Sequence, residues 1–359
     1  MTKGGDSLLV IIFIQLKDIS VIIVNYKGGE KLARCLSSLQ AIHDRRFSFE
    51  VIVVDNHSND GTLENFIHQY PDFRFVSNSG NNGFANGCNL GASKSTGKNL
   101  LFLNPDTSVN ADALFDMLEE VRVRPEFSIV SCSQVRENGS KERPYGKFLT
   151  LFTLTGWLRS IHRILFGRME DTLQHSKHYI YPDWVSGSVV MMQRESFFRL
   201  GKWDEDFWMY FEDVDLCWRA KERNGEIVKL RSAVIGHLHG GSSRLNLETT
   251  VLTKTEVHIS RHLYIAKHEN SWKAIPMHLI LILNNMLFGI VPALVGLLLF
   301  PVKRLRVCLL VYLRLADYYL NALKSGTWMS VRSVNFGRKD SGTLSGAVAS
   351  AYTRQYNRN

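Results

Sequence analysis

The sequence predicts an α/β protein built on a mostly parallel sheet flanked by helices, with an apolar helical appendage toward its carboxyl end. Three observations carry this. From residue 18 onward β-branched apolar runs alternate with amphipathic stretches; the runs end in polar, turn-forming loops; and the most apolar segment comes late, at 279–300. A chain of 359 residues with 45% apolar content can fill one large core or two modest ones, and one domain of about 230 residues plus an appendage is the natural division.

The elements follow in order. "LLVIIFIQL" at 8–16 is too short to span a bilayer and no small-residue cleavage site follows, so it reads as an extra strand or a loose extension and not as an anchor or signal peptide. "DISVIIV" then reads as a buried strand, "GGEKLARCLSSLQ" as a helix, "FEVIVV" as a strand and "DGTLENFIHQY" as a helix opened by an acidic turn. "FRFVSN" leads through a Gly/Asn loop to a helix near 84–95, followed by the strand "KNLLFLN" and the helix "ADALFDMLEEVR". Residues 134–183 are the least legible stretch, mixing "VRENGSKERPYGKF", an apolar "LTLFTLTGWL" and a polar "QHSKHYIYPDW", and no internal repeat is visible.

Parallel sheets bind ligands beyond the carboxyl ends of their strands. Those ends read "NYKGG" at 25–29, "DNHSNDG" at 55–61, "NNGFANGCN" at 81–89 and "NPDT" at 104–107. Asx-turns and helix caps account for Ser58, Asn59 and Asp60. They do not account for Asp55 and Asp106, each of which follows an apolar strand and is expected on one shared crevice. "NYKGGEKLA" is neither the G-x-G-x-x-G of dinucleotide folds nor the G-x-x-x-x-G-K-[ST] of P-loop enzymes, so both are excluded.

The net charge of +9 is spread along the chain, except for "KRLR" at 303–306 directly after the apolar segment. That placement favours anionic lipid headgroups, and no basic run interleaved with aromatics suggests nucleic acid. The five cysteines form no CxxC pair and no metal-ligand spacing, which fits a reducing compartment.

"EDVDLCWRAKE" has helix-forming composition, with Val214, Cys217 and Trp218 as its buried stripe and Glu212, Asp213 and Asp215 at its start. Acids are favoured there by the helix dipole, by about 0.3–1 kcal/mol each, but three beside an aromatic run ask for more than a dipole. Asp215 is placed to pair with Arg219 one turn on.

Taken in order, "VIIVNYKGG", "VIVVDNHSNDGT", "NNGFANGCNLG", "LLFLNPDT", "VSGSVVMMQRESFFRLGKWDEDFWMYFEDVDLCWR" and "HLHGGSS" resemble the inverting family 2 glycosyltransferases of the GT-A (Rossmann-like) fold, particularly their rhamnosyltransferase-like branch, over roughly residues 18–245. The resemblance implies an enzyme that moves a sugar, first of all L-rhamnose from dTDP-L-rhamnose and otherwise a sugar from a UDP donor, onto a glycan or lipid-linked acceptor in cell-surface polysaccharide synthesis. It implies that Val24, Asn25, Tyr26 and Asp55 hold the nucleoside, with Asn81 and Gly83 in the next loop. The family's D-x-D motif stands here as Asn104, Pro105, Asp106, which leaves one carboxylate for Mg²⁺ or Mn²⁺ and the rest to diphosphate oxygens. His237 matches the further metal ligand, its imidazole favouring Mn²⁺, with His239 as second choice. Asp213 matches the catalytic base, and Glu212, Trp184 and Gly187 fall on the acceptor side.

Two other classes stay open. A nucleotidyltransferase would carry a basic, Gly-rich phosphate loop, of which "NYKGGEK" is a poor version. A non-catalytic membrane-associated binding protein would be expected to lack Asp213, Asp106 or His237, and all three are present. Residues 134–183 read either as a wall for the acceptor or as a variable surface segment.

The 22-residue run 279–300 is long enough to cross a bilayer, yet Asn284 and Asn285 sit inside it and Pro292 interrupts it. A single crossing would also put "KRLR" on the far side from a cytoplasmic domain, and a return through "LRVCLLVYLRLADYYL" would bury Arg306 or Arg314. Helices over about 275–320 are therefore expected to lie in or dip into the cytoplasmic membrane surface, as a peripheral or monotopic protein, with Lys303, Arg304 and Arg306 on headgroups. A buried helical pair, or an interface between copies in a homo-oligomer, is the alternative. The resulting division is an extension at 1–17, a transferase domain at 18–245 with nucleotide and acceptor halves meeting at 133/134, a helical membrane-surface region at 246–324 and a basic tail at 325–359.

Overall fold

The computed structural model describes residues 16–167, 173–237 and 246–338. Nearly all of "LLVIIFIQL", His239 with the glycines and serines after it, and most of the basic tail lie outside these residues.

The first half alternates β1 (Ile19–Asn25), α1 (Gly29–Gln40), β2 (Phe49–Asp55), α2 (Thr62–Gln69), β3 (Arg74–Ser77), α3 (Phe84–Ser93) and β4 (Asn99–Leu103). The four strands pair in parallel in the order β3-β2-β1-β4. β1 is buried along its whole length because both of its faces are covered. Val21 and Ile23 pack with Leu32 and Leu36 of α1 on one side, while Ile22 and Val24 pack with Ala85, Cys88 and Ala92 of α3 on the other. α3 sits close to the sheet at its glycines: a methyl on Gly91 would lie 2.5 Å from Ile22 Cγ2.

Beyond β4 come β5 (Thr107–Ser108), α4 (Ala111–Val123), β6 (Phe127–Val135), β7 (Tyr145–Gly146), α5 (Gly156–Phe166), β8 (Gln174–His175), β9 (Tyr179–Tyr181), β10 (Trp184–Val185), β11 (Val189–Gln193), α6 (Arg194–Arg199), α7 (Glu212–Lys221) and β12 (Glu226–His237). Here the sheet turns mixed. β11 inserts antiparallel between β4 and β6, β12 runs parallel to β6, and β9 and β8 close the far edge antiparallel. Strands from β6 onward thus complete the sheet begun by β1–β4, and the two parts share one core.

The chain then leaves the sheet for α8 (Leu247–His268), α9 (Ser271–Leu283), α10 (Ile290–Leu298) and α11 (Lys303–Ser325). A π-helical turn at Asn284–Phe288 joins α9 to α10. Together Ser271–Leu298 is, by length and composition, long and apolar enough to cross a membrane, the one such helix among the described residues. The two asparagines inside it have partners in the protein. Asn285 Nδ2 donates to Tyr319 Oη at 2.8 Å, and Asn284 Oδ1 accepts from Trp157 Nε1 at 3.2 Å. After α11 the chain returns to the sheet domain, where Ser333 Oγ donates to the Glu205 carbonyl and Asn335 Nδ2 to Asp206 Oδ1.

Candidate active site

Three groups of polar side chains gather at the carboxyl ends of the central strands. At the ends of β1 and β2, Asp55 Oδ1 accepts from Asn25 Nδ2 at 3.0 Å and from Ser58 Oγ at 2.5 Å, and its Oδ2 accepts from the Ser58 backbone at 2.9 Å. Asn25 Oδ1 in turn accepts from the Gly28 backbone at 3.0 Å. All three side chains are buried and bonded, so the loop behind Tyr26 is held rigid. Ser58 is part of this lock, a role that the turn chemistry of its loop does not reveal. The Val24 side chain points away, against Gly87 of α3.

The next loop is tied by amides. Asn56 Nδ2 donates to Asn81 Oδ1 at 3.2 Å and to the Gly83 carbonyl at 3.0 Å. Gly83, at φ +89°, could carry no side chain, since a methyl there would lie 2.1 Å from the Trp208 carbonyl oxygen. Trp208 Nε1 donates to the Asn81 carbonyl at 3.0 Å, which couples this loop to the segment leading into α7. A cleft of about 900 Å³ opens beside it, lined by Tyr26, Asn81, Lys202, Glu205 and, from the returning carboxyl-terminal segment, Arg332 and Arg338. Sequence reasoning missed that segment, because nothing local shows that the chain doubles back over 120 residues to this surface.

The second group follows β4. Asn104, Pro105 and Asp106 make the turn into β5, which the Thr107 hydroxyl closes by donating to the Asn104 carbonyl at 2.8 Å. β5 pairs antiparallel with the end of β12, setting His237 opposite Thr107. The imidazole therefore meets Asp106, its Nε2 at 3.2 Å from Oδ1, while its Nδ1 lies 2.9 Å from Glu142 Oε2. Arg136 Nε holds the other Glu142 oxygen at 2.7 Å. Burial by itself would lower the His237 pKa, but the two carboxylates raise it above the ordinary imidazole value. Glu142 was also missed, although "ENGS" carries an Asn-Gly turn signal that folds the chain back beside the end of β6.

The third group is the start of α7. Tyr210 and Phe211, at φ +71° and +67°, form a left-handed turn that non-glycine residues rarely adopt, and the helix begins directly after it. Asp213 Oδ2 accepts from the Gly187 backbone at 2.9 Å and Oδ1 from the Val214 backbone at 2.8 Å. Burial pushes its pKa up, and these backbone donors offset that only in part. Glu212, beside it, is buried, and its Oε2 has no partner; burial and then the charge of Asp213 push its carboxyl well above the usual range. Asp215 lies opposite in character: Arg219 at 2.6 Å and His268 at 2.8 Å hold it, against the cost of burial, below the usual carboxylate value. Trp184 Nε1 donates to the Lys147 carbonyl at 2.9 Å, which places its ring on the short β7–β10 ribbon leading to Gly187.

The second and third groups are joined through backbone. The Asn104 amide donates to the Ser188 carbonyl at 2.9 Å, and Ser188 follows the Gly187 that holds Asp213. The Asp106 turn and the Asp213 helix start therefore flank one short loop. Among the described residues no group of three or more His, Cys, Asp or Glu side chains is arranged to hold a metal ion. Asp106 and His237 offer one oxygen and one nitrogen side by side, a partial donor set that would need ligand oxygens to complete it.

The model of the family described as glycosyl transferase family 2 matches residues 20–190. This stretch is a family 2 glycosyltransferase domain. Its match covers the first group, the Asn104–Asp106 turn and Gly187, and stops before Asp213 and His237, whose placement rests on the geometry above. The chain is 28% identical over 218 residues to the low-salt glycan biosynthesis hexosyltransferase Agl10 of Haloferax volcanii, covering 58% of this chain and 63% of that protein. It is 23% identical over 273 residues to the N-acetylglucosaminyl-diphospho-decaprenol L-rhamnosyltransferase of Mycobacterium tuberculosis, covering 72% of this chain and 87% of the other. A crystal structure of GalNAc-T7 with UDP, GalNAc and Mn²⁺ is similar at a TM-score of 0.49 and 17% identity, covering 68% of this chain and 48% of that one. The α/β sheet flanked by helices agrees with the arrangement that the glycosyltransferase motifs led one to expect.

Proposed function

We propose that the chain is an inverting, sugar-nucleotide-dependent glycosyltransferase acting on a glycan or lipid-linked glycan, with Asp213 as its base. The observation that carries this is the Asp213 carboxylate, held by two backbone amides at a helix start and joined through Gly187 and Ser188 to the turn bearing Asp106.

Inversion in one displacement needs a single carboxylate to take the proton of an acceptor hydroxyl as that oxygen attacks the anomeric carbon, while the nucleoside diphosphate leaves from the opposite face. A carboxyl whose pKa is raised by burial is a better proton acceptor than an exposed one. Asn25, Tyr26, Asp55, Asn81 and Gly83 form the nucleoside side, and Asn104 supports it through its turn. Asp55 Oδ2 accepts one internal hydrogen bond and so keeps a lone pair for a nucleobase N–H, which suits the imide of thymine or uracil. Asp106 and His237 would hold Mg²⁺ or Mn²⁺ together with diphosphate oxygens, and the ion would supply positive charge for the leaving group. Trp184 and Gly187 bound the acceptor side. Glu212, buried behind Asp213, shapes the environment of the base more than it offers a surface to an acceptor.

Within this reading the transferase unit is 18–245, the helical region 246–324 and the tail 325–359. L-rhamnose from dTDP-L-rhamnose is the first donor to test and UDP-sugars the second. The ordered motifs support it, as does a relative whose name specifies an L-rhamnosyltransferase. In this reading the site works at the cytoplasmic face of a membrane, and the helical region supports it. An exposed apolar stripe runs at every third or fourth position from Ile275 through Leu279, Leu283, Leu287 and Val291 to Leu298, which is 81% exposed. Incubation with radiolabelled dTDP-rhamnose and UDP-sugars and a lipid extract decides the function. Sugar transferred into the lipid fraction is expected, and no transfer from any donor in the presence of Mg²⁺ or Mn²⁺ would remove the proposal.

A further inference from the structure

We infer that α5, in the stretch least legible from sequence, is a second membrane-docking element that joins the carboxyl-terminal helices in one face seated on an anionic lipid bilayer. The inference rests on the membrane placement proposed above and extends it to a part of the transferase domain itself.

α5, "GWLRSIHRILF", is a well-formed helix with no buried residue. The Thr155 hydroxyl caps its start by accepting from the Leu158 backbone, and Gly167 at φ +82° ends it. Trp157, Ile161, Ile164 and Leu165 recur at i, i+4, i+7 and i+8, and Ile164 is 79% exposed. A soluble surface has no use for such a stripe. Its position supplies the reason. Leu158 packs into the cluster of Leu154, Ile265, Met277 and Leu281, which fastens α5 along the side of α9. Trp157 adds the hydrogen bond to Asn284 and a ring contact with Phe288 at 6.0 Å, so the exposed residues of α5 adjoin the exposed stripe of α9 and α10.

Charge identifies the occupant. Between residues 143 and 167 there are four basic and no acidic side chains, and between 271 and 316 there are five basic and none acidic. Two segments so far apart in sequence share an apolar face, and the only formal charges either carries are basic. An anionic bilayer answers both, taking the apolar side chains below the headgroups and the arginines and lysines among them. A second copy of this chain would bring the same positive charges and repel it.

The test floats the full chain with vesicles of phosphatidylcholine alone and of phosphatidylcholine with phosphatidylglycerol. Wild type is expected to float with the anionic vesicles and to lose binding as salt is raised. The pair Ile164→Glu with Phe166→Glu, and separately Leu287→Glu with Leu294→Glu, should each cut the bound fraction about tenfold or more, since each removes two exposed apolar groups. Nucleoside diphosphate binding should stay unchanged in both. In wild type, amide exchange over residues 156–166 should slow when anionic vesicles are added. If the α5 pair floats like wild type and its amides are unaffected, while the carboxyl-terminal pair fails to float, α5 is not a docking element and the membrane placement survives. If wild type does not float, both fall. If either pair turns a wild-type dimer into a monomer and leaves flotation intact, the occupant is a second copy.

Discussion

The strand-end crevice and the carboxyl-terminal helices depart from ordinary protein surface in opposite senses. In the crevice, polar side chains are buried: Asn25, Asp55, Asn56 and Ser58 sit below the surface, each tied to another polar group. In the helices, apolar side chains are exposed along one line, from Ile275 to Leu298. Buried polar groups and exposed apolar patches are the two informative exceptions to the usual rule of burial. Under the function proposed above, the first departure would meet a polar and charged donor and the second a lipid surface. The short loop at Gly187 and Ser188, which touches both Asp213 and the Asp106 turn, is where an acceptor held at the second would meet a donor held at the first.

The largest expected effect separates chemistry from binding within the crevice. Asp213→Asn should lower transfer by about 10²–10⁴-fold while leaving calorimetric binding of the nucleoside diphosphate close to wild type, because the amide keeps the shape and loses the base. Near-normal turnover would mean that another group takes the proton. Next come Asp106→Ala and His237→Ala, each expected to weaken binding of the diphosphate in the presence of Mn²⁺ by about tenfold or more, with little effect on the nucleoside alone. Identical Mn²⁺ titrations for wild type and both variants would leave Asp106 and His237 as a hydrogen-bonded pair and nothing more.

Two smaller effects test the frame around the crevice. Gly83→Ala must place a methyl against the Trp208 carbonyl at a backbone angle suited to glycine, and a loss of about 3 kcal/mol is expected in denaturant unfolding. The carboxyl-terminal region offers the counterpart. Glu256 on α8 accepts from Ser330 Oγ at 2.9 Å, and burial pushes its carboxyl from 4.5 up to about 7. The folded state then keeps a proton that the unfolded chain releases, so stability is greatest below about pH 4.5 and falls as pH rises toward 7, by about 3 kcal/mol for this group. Glu256→Gln should flatten the thermal melting profile between pH 5 and 7. An unchanged slope would assign the pH dependence to other groups.

The parallel half was legible in the sequence because its signals are local. β1, β2 and β4 announce themselves as apolar runs, and their polar ends follow at once, so Asp55 and Asp106 could be placed at strand ends without any knowledge of pairing. The mixed half was less legible because its order depends on contacts between distant segments. "SVVMMQ" is apolar enough for a strand, but nothing in it says that it runs antiparallel between β4 and β6. The same limit governs the site. The start of α7 was readable from its acids, whereas the contrast between Asp213, turned to the Gly187 amide, and Glu212, buried without a partner for Oε2, is set by a loop 26 residues away. Glu142 lay in the least legible stretch, where only its Asn-Gly turn hinted at a return to the sheet.

The stereochemical course tests the central claim most directly. A single carboxylate base and a departing nucleoside diphosphate on opposite faces of the sugar require one displacement at the anomeric carbon. Proton NMR of the first product formed from dTDP-L-rhamnose, or from whichever donor proves active, should show the anomeric configuration opposite to that of the donor. Retention of the donor configuration would contradict the role assigned to Asp213.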